Sequence, residues 1–158
     1  MNNNDVLRRV RYVFDFSDSK MMDLFTLGNP NSEQAISRAE ISDWLKKEDD
    51  PAYKVCTDTM LATFLNGLIV EKRGVRDGPA LVPEKRITNN SVFNKLKIAL
   101  NFKAEDVLEV LNSTGHNLSK HELSAFFRKP THKHYRECKD QILRNFLKGL
   151  QLIYRKTD

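Results

Sequence analysis

An internal repeat is the feature that most constrains the fold of this chain. Residues 3–25 align with residues 89–111, and residues 36–73 align with residues 118–155. The first copy carries four additional residues around GNPN at 28–31. The identical pairs include Asn3/Asn89, Asn4/Asn90, Tyr53/Tyr135, Cys56/Cys138, Asp58/Asp140 and Gly67/Gly149. A repeat of this kind predicts one supersecondary unit that occurs twice and packs against its own copy.

The repeat also predicts how the chain is divided. We expect residues 1–74 to form a first helical repeat, residues 75–88 a linker and residues 89–158 a second helical repeat. The stretch GVRDGPALVPEKRIT at 74–88 holds two glycines and two prolines, a composition typical of a connection between folded units.

Apolar periodicity predicts four helices in each copy. In the first helix the apolar residues recur at the spacing of one helical face: Val6, Leu7, Val10, Val13 and Phe14. The third helix is predicted to begin at a capping box, formed by Ser37 with Glu40 and by Ser119 with Glu122. No segment alternates with a period of two, so the predicted class is all-α, with two tandem pseudo-symmetric domains of about four helices each.

Gly67 and Gly149 fall inside the predicted fourth helices. Glycine in a helix interior costs about 1 kcal/mol relative to alanine. Because the glycine occurs in both copies, we expect it to let another helix approach closely; a kink or an early helix end is the alternative.

Three stretches, WLKKEDDPAYKVC, FLNGLIVEKRG and RITNN, resemble the YehS-like family of bacterial proteins, and the resemblance extends over essentially the whole chain. That family is built from two copies of a domain of unknown function. The resemblance therefore implies a bacterial cytoplasmic protein with two tandem helical domains. It implies no activity and no catalytic or binding residues.

The sequence contains no GxGxxG, Walker-type P-loop, HExxH or GxSxG motif. Cys138 is the candidate nucleophilic thiol or zinc ligand, since four histidines lie in the same copy: His116, His121, His132 and His134. Cys56 occupies the equivalent place in a copy that holds no histidine, which favours a buried apolar role for both cysteines. The sequence therefore predicts no enzyme, no cofactor and no metal site.

Charge divides unevenly between the halves of the chain. Residues 1–78 hold 11 basic and 13 acidic residues, whereas residues 79–158 hold 15 and 8. The predicted nucleic-acid contacts are the basic residues of 128–138 and the tyrosine between them: Arg128, Lys129, Lys133, Tyr135 and Arg136. Lysine and arginine neutralise phosphates, and tyrosine stacks on bases. A solvated loop, or a loop paired with Glu48, Asp49 and Asp50 of the other copy, is the alternative.

The second and third helices of each copy also faintly resemble a helix-turn-helix. Leu123 and Phe126, matched by Ile41 and Trp44, would lie on the recognition helix. The connection between the helices is longer than the usual three to four residues. Trp44 is moreover expected to be a core residue.

These observations favour a non-enzymatic protein–protein interaction or assembly module, which would bind a partner protein or associate with itself. A nucleic-acid-associated protein that binds through the basic second repeat is the alternative. No apolar run approaches the roughly 20 residues that span a bilayer, and the N-terminus lacks a signal-peptide core. With only two cysteines, the chain is expected in the reducing cytoplasm, with no membrane partner. No small-molecule ligand is inferred.

Overall fold

The computed structural model describes residues 1–33, 35–75 and 77–155, so position 76 of the predicted linker and the last three residues of the second repeat lie outside the described residues. The described residues form no strand. Their helices are α1 (Asn3–Phe14), α2 (Asp18–Gly28), α3 (Arg38–Leu45), α4 (Asp58–Arg73), α5 (Asn89–Ala99), α6 (Ala104–Asn112), α7 (Lys120–Ser124), the 3-10 helix Ala125–Phe127 and α8 (Asp140–Tyr154). The all-α duplicated fold is confirmed, with the same helix order in both copies.

The third helix of each copy begins at the predicted capping box. The Ser37 hydroxyl accepts a hydrogen bond from the Glu40 amide at 3.1 Å, and the Glu40 carboxylate accepts one from the Ser37 amide at 3.3 Å. Ser119 and Glu122 repeat both bonds at 3.0 Å. The two pairs satisfy amide groups that the first helical turn leaves without a partner.

The first residue of α4 ties the two copies together. One oxygen of Asp58 accepts a hydrogen bond from the Asn3 side chain of its own copy at 2.7 Å. The other oxygen accepts a bond from the backbone amide of Ile87, just before α5, at 3.1 Å. The starts of α1, α4 and α5 therefore lie together at one end of the molecule.

The first residue of α8 repeats this arrangement in the other copy. Asp140 accepts a hydrogen bond from Asn89 at 2.8 Å and one from the α-amino group of Met1 at 2.6 Å. These two donors, the α-amino group foremost, hold the pKa of the Asp140 carboxyl below its ordinary value. The start of α8 is thereby fixed beside the start of α1.

The opposite ends of the same helices are joined by two equivalent arginines. Arg73, the last residue of α4, donates to the Ile98 carbonyl of α5 at 3.3 Å. Arg155, just after α8, donates to the Tyr12 carbonyl of α1 at 2.9 Å. In each pair the two helix starts are joined to each other and so are the two helix ends. Therefore α5 runs parallel to α4, and α8 runs parallel to α1. A pseudo-two-fold axis thus relates the two copies, and each fourth helix packs on the first helix of the other copy.

In the first copy, α2 packs against α4 at very short range. A Cβ atom on Gly67 would lie 1.8 Å from the carbonyl oxygen of Leu24, and one on Gly28 would lie 1.6 Å from the carbonyl oxygen of Thr63. The two contacts run in opposite senses along the helices, so α2 is antiparallel to α4. The predicted close approach at Gly67 is confirmed.

The second copy uses a looser version of this contact between α6 and α8. A Cβ atom on Gly149 would lie 2.6 Å from both the carbonyl oxygen and a methyl carbon of Val110. In place of Gly28 stands Thr114, whose hydroxyl donates to the Asn145 carbonyl at 3.3 Å. The close approach at Gly149 is likewise confirmed.

A single apolar core runs through both copies. In the first copy the ring of Phe25 contacts those of Trp44 and Phe64, with centroids 5.5 and 5.4 Å apart. In the second copy Phe93 contacts Phe146 at 4.8 Å. Aromatic pairs at these separations add to the free energy gained from area burial alone.

We predict that Gly67→Ala destabilises the protein by about 1–3 kcal/mol, because the new methyl group overlaps a backbone oxygen that cannot rotate away. Gly149→Ala is the matched comparison and should cost less, since part of its overlap is with the mobile Val110 side chain. Urea denaturation of the three proteins measures the difference. Stabilisation by Gly67→Ala, which helix propensity alone would produce, would contradict this packing.

Candidate functional site

The segment 128–138, called here the basic loop, is held in place by one buried side chain at the start of α5. The Asn90 amide group donates to the carbonyls of Phe126 at 3.0 Å and Arg136 at 2.8 Å. Its oxygen accepts a bond from the Cys138 amide at 2.9 Å. All three bonds go to backbone atoms, so the path of the loop is fixed whatever its exposed side chains are.

Asn4 does the same for the equivalent segment 46–56, called here the first-copy loop. It donates to the carbonyls of Trp44 at 2.9 Å and Lys54 at 2.8 Å, and it accepts a bond from the Cys56 amide at 3.0 Å. The two loops therefore share one backbone frame and differ in the side chains that they present.

The five predicted nucleic-acid contacts all lie on the basic loop: Arg128, Lys129, Lys133, Tyr135 and Arg136. The two lysines are exposed and the tyrosine is half-buried. Arg128 donates to the His134 carbonyl at 3.3 Å and to the Ser124 hydroxyl at 3.2 Å. Arg136 lies over the Phe126 ring at 5.3 Å. None of the four cations forms an ion pair with a described residue.

The first-copy loop is neutralised within its own copy. Asp43 pairs with Lys46 at 2.7 Å and with Lys54 at 3.9 Å, and the hydrogen bond from Lys46 lowers the pKa of the Asp43 carboxyl. The position equivalent to Asp43 is Ala125, so the cations of the basic loop have no counterpart carboxylate. Glu48 instead accepts a bond from Asn2 at 2.7 Å, and the suggested pairing of the basic loop with 48–50 is not formed among the described residues.

Both cysteines are free and buried. Desolvation, reinforced by Asp58, raises the pKa of the Cys56 thiol to about 12. Desolvation, followed by the charge of Asp140, raises the pKa of Cys138 to about 12 as well. A thiol with such a pKa carries almost no thiolate at neutral pH and is a poor nucleophile.

The histidines of the basic loop are exposed, whereas Cys138 is buried. His132 and His134 are exposed, with ring centroids 5.6 Å apart, and the His132 Nδ1 accepts the His134 amide at 3.0 Å. His116 contacts Asn145 at 3.0 Å. Within the described ranges, no three His, Cys, Asp or Glu side chains are grouped as a metal site would require.

The resemblance to a helix-turn-helix does not extend to the third helices. The apolar residues placed on the recognition helix are all core residues: Ile41, Trp44, Leu123 and Phe126. The expectation for Trp44 is confirmed. In the second copy α7 has five residues, and its exposed Lys120 is already paired with Glu105 at 2.5 Å. This helix offers little surface for reading a groove.

A second surface breaks the pseudo-symmetry of the fold. It is called here the α1–α8 surface, and its exposed residues are Arg9, Tyr12, Arg144, Lys148 and Leu152. On α4 the positions equivalent to Arg144 and Lys148 are Ala62 and Asn66, which are both buried. Leu152 is 57% exposed, whereas its equivalent Val70 is half-buried.

The equivalent surface between α4 and α5 is covered by the chain itself. Residues of the linker, α4 and α5 line one cleft there, and Glu84 of the linker pairs with Lys95 of α5 at 3.1 Å. Lys95 also donates to the Asn66 side chain at 2.6 Å. The pseudo-two-fold axis relates Lys95 to Arg9 and Asn66 to Lys148. Arg9 and Lys148 are cations that form no ion pair with any described residue.

Comparison with known proteins identifies the family. Residues 3–74 and 89–156 match the model of a family described as "Protein of unknown function (DUF1456)". The chain belongs to this family. It is 44% identical over 151 residues to the uncharacterized protein YehS of Escherichia coli strain K12, across 95% of this chain and 94% of that protein. The resemblance stated from the sequence is thereby confirmed. No solved structure matches the chain.

Membership of this family names no site, so the site must come from the structure. None of the helices in the part of the chain described is long and apolar enough to cross a membrane.

Sequence reasoning found the basic loop but missed the α1–α8 surface and the pairing of Asn66 with Lys95. The repeat alignment contained a signal for the α1–α8 surface, because Ala62 and Asn66 of the first copy align with the cations Arg144 and Lys148 of the second.

We predict that both thiols react slowly with a thiol reagent under native conditions. At about pH 8, a thiol pKa of about 12 leaves roughly a thousandfold less thiolate than the ordinary value of 9.0 would. Labelling should therefore follow unfolding and become fast in denaturant. Rapid labelling of Cys56 and Cys138 in the native protein, or a disulfide between them, would contradict their burial.

Proposed function

We propose that this chain is a non-enzymatic protein-interaction module whose α1–α8 surface binds an extended acidic segment of a partner protein. The observation that supports this is the broken pseudo-symmetry: one of two equivalent helix pairs carries the linker, and the other is exposed. A reducing compartment such as the cytoplasm suits the two free cysteines and is the location we propose.

Charge favours an acidic partner. On the covered side, Glu84 neutralises Lys95. On the exposed side, Arg9 takes the place of Lys95, and a second cation, Lys148, takes the place of the neutral Asn66. A partner carboxylate seated as Glu84 is would neutralise charge that these cations carry.

The linker also indicates which apolar contact the partner makes. Leu81 lies three residues before Glu84 and lines the cleft beside Val70 of α4. The equivalent of Val70 is Leu152, which is exposed. We therefore expect the partner segment to carry an apolar residue about three positions before its acidic residue, so that both side chains contact the α1–α8 surface together.

The test is a fluorescence-anisotropy titration with a labelled peptide of residues 77–84, DGPALVPE, which carries both features. Arg9→Ala and Lys148→Ala should each weaken binding by roughly 1.4- to 5-fold, the range for an exposed ion pair of about 0.2–1 kcal/mol. A peptide with both acidic residues replaced by their amides should bind more weakly. Lys47→Ala removes an exposed cation elsewhere and should leave the affinity unchanged.

Absence of binding at low salt would overturn the proposal, as would equal loss of affinity in the Lys47→Ala control. Another possible occupant of the α1–α8 surface is a second copy of this chain. Sedimentation at several protein concentrations measures whether the chain associates with itself. If Arg9→Ala and Lys148→Ala abolish self-association instead of peptide binding, the surface joins copies of the chain and the heterologous partner is wrong.

Nucleic-acid binding through the basic loop is the second candidate. It is supported by the four cations there, none of which forms an ion pair with a described residue. For Arg128 and Arg136 the reason is that Ala125 replaces the carboxylate that pairs with their equivalents, Lys46 and Lys54, in the first copy. The loop path is fixed by Asn90, so these side chains are presented on a defined backbone. Tyr135, half-buried between them, would supply a stacking face for a base.

We predict that replacing Lys129 and Lys133 by alanine lowers the slope of log affinity against log salt by about 1.4–1.8, because each lost phosphate contact removes about 0.7–0.9. The matched control replaces Lys47 and Lys54 in the first-copy loop and should leave the slope unchanged. Tyr135→Ala should weaken single-strand binding by about 1–3 kcal/mol. Undetectable binding of single- and double-stranded oligonucleotides at low salt would end this candidate.

A further inference from the structure

A small cleft with three arginines opens on the α1–α8 surface, beside the start of α1. It is called here the arginine cleft; its volume is about 200 Å³, and its lining residues are Met1, Asp5, Arg8, Arg9 and Arg144. We propose that the arginine cleft binds a phosphate monoester, carried as a phosphorylated side chain by the acidic partner segment. This inference rests on the proposed function, because Arg9 and Arg144 belong to the surface that binds that segment.

The two carboxylates at the arginine cleft already have partners of their own. Asp5 pairs with Arg8, and its other oxygen accepts a hydrogen bond from the Asn2 amide at 3.1 Å. Asp140, at the start of α8, pairs with the α-amino group of Met1 at 2.6 Å. Each negative charge is therefore balanced by a cation other than Arg9 or Arg144.

The guanidinium groups of Arg9 and Arg144 remain available to a ligand. Arg9 is exposed and forms no ion pair with a described residue. The side chain of Arg144 is 44% exposed, and its nitrogen lies 4.0 Å from the Asp140 carboxylate. That separation is longer than a hydrogen bond, so the donors of Arg144 are not engaged there. Both groups are accessible from solvent.

Charge favours a dianion over a single carboxylate. The three arginines and the α-amino group of Met1 outnumber the two carboxylates, Asp5 and Asp140, by two charges. A phosphate monoester carries about −1.5 to −2 at pH 7 and offers three acceptor oxygens, whereas a carboxylate carries one charge and two oxygens. The planar fork of a guanidinium group also matches phosphate oxygens two at a time.

The duplication shows that the fold itself does not require these arginines. In the equivalent pair of helices, α4 and α5, the positions of Arg8 and Arg144 are occupied by Asn94 and Ala62. The next residue of α5, Lys95, is paired with a linker carboxylate at 3.1 Å. The excess of cations is thus confined to the side that the linker leaves uncovered.

The surroundings of the arginine cleft favour a peptide over a nucleic acid. The row of α8 that begins with Arg144 and Lys148 continues with Leu152, which is 57% exposed and offers no contact to a further phosphate. The ring of Tyr12 is covered by the Arg155 guanidinium at 3.7 Å, so a base cannot stack on that face. A segment with one phosphorylated and one apolar side chain matches this order of residues.

The test compares three fluorescently labelled peptides of residues 77–84 with amidated C-termini. The first is DGPALVPE, the second has phosphoserine in place of Glu84, and the third has serine there. By anisotropy titration of the full-length protein, the phosphoserine peptide should bind roughly tenfold more tightly than the glutamate peptide. The serine peptide should bind most weakly.

Variants of one arginine separate the phosphate from the carboxylate. Arg144→Ala should weaken the phosphoserine peptide by roughly tenfold, but the glutamate peptide by no more than about twofold, because we expect that carboxylate to contact Arg9 and Lys148. Arg144→Lys keeps the charge without the fork and should remain weaker than the wild type. Lys47→Ala is the control and should change neither affinity. Circular dichroism confirms that each variant is folded.

The possible failures are distinguishable. If the glutamate peptide binds and the phosphoserine peptide binds no more tightly, the phosphate site is wrong and the proposed function stands. If only the phosphoserine peptide binds, and Arg144→Ala weakens it, the phosphate site stands and an unmodified acidic partner is wrong. Unchanged phosphoserine binding in Arg144→Ala would place the phosphate elsewhere. Tighter binding of a 5′-phosphorylated oligonucleotide than of the phosphoserine peptide, lost in Arg144→Ala, would assign the arginine cleft to nucleic acid and overturn the peptide.

Discussion

The fold depends on two carboxylates, Asp58 and Asp140, that each hold helices from both copies. Each begins a fourth helix, where the partial positive charge of the helix dipole favours an acidic residue. Asp58 accepts one hydrogen bond from its own copy and one from Ile87, at the end of the linker just before α5. Asp140 accepts one from its own copy and one from Met1 of the first copy. With these starts joined, and with Arg73 and Arg155 joining the opposite ends, the four helices α1, α4, α5 and α8 are fixed in parallel.

Most of the architecture could be predicted because it is written in local patterns that occur twice. Capping boxes, apolar faces and helix glycines are short-range signals, and finding each at the same place in both copies removes most of the ambiguity. The pairing of α4 with α5 and of α8 with α1 could not be predicted in this way. It depends on Asp58 accepting from Ile87 and on Asp140 accepting from Met1, and nothing in the helical periodicity specifies that such distant groups meet.

The candidate sites likewise differ in whether the sequence could locate them. The basic loop could be located from the sequence because its four cations lie within nine consecutive positions, 128–136. The environment of Asn66 could not, because it is created by Lys95 and by Glu84, which lie on α5 and on the linker. Only the three-dimensional contacts show that Asn66 is fully buried, that its oxygen is bonded to Lys95, and that its side-chain nitrogen has no partner among the described residues. Burial, in this case, is the property that sequence cannot supply.

The parallel pairing of α1 with α8 also constrains the order in which the chain can fold. The contacts between α4 and α5 join elements that follow one another along the chain, separated by the short linker. The contact of Met1 with Asp140 closes a loop of 139 residues. Closing a long loop costs more chain entropy, and distant contacts form slowly. We therefore expect the seam between α1 and α8 to close after the seam between α4 and α5, and it is the α1–α8 side of the molecule that the linker leaves uncovered.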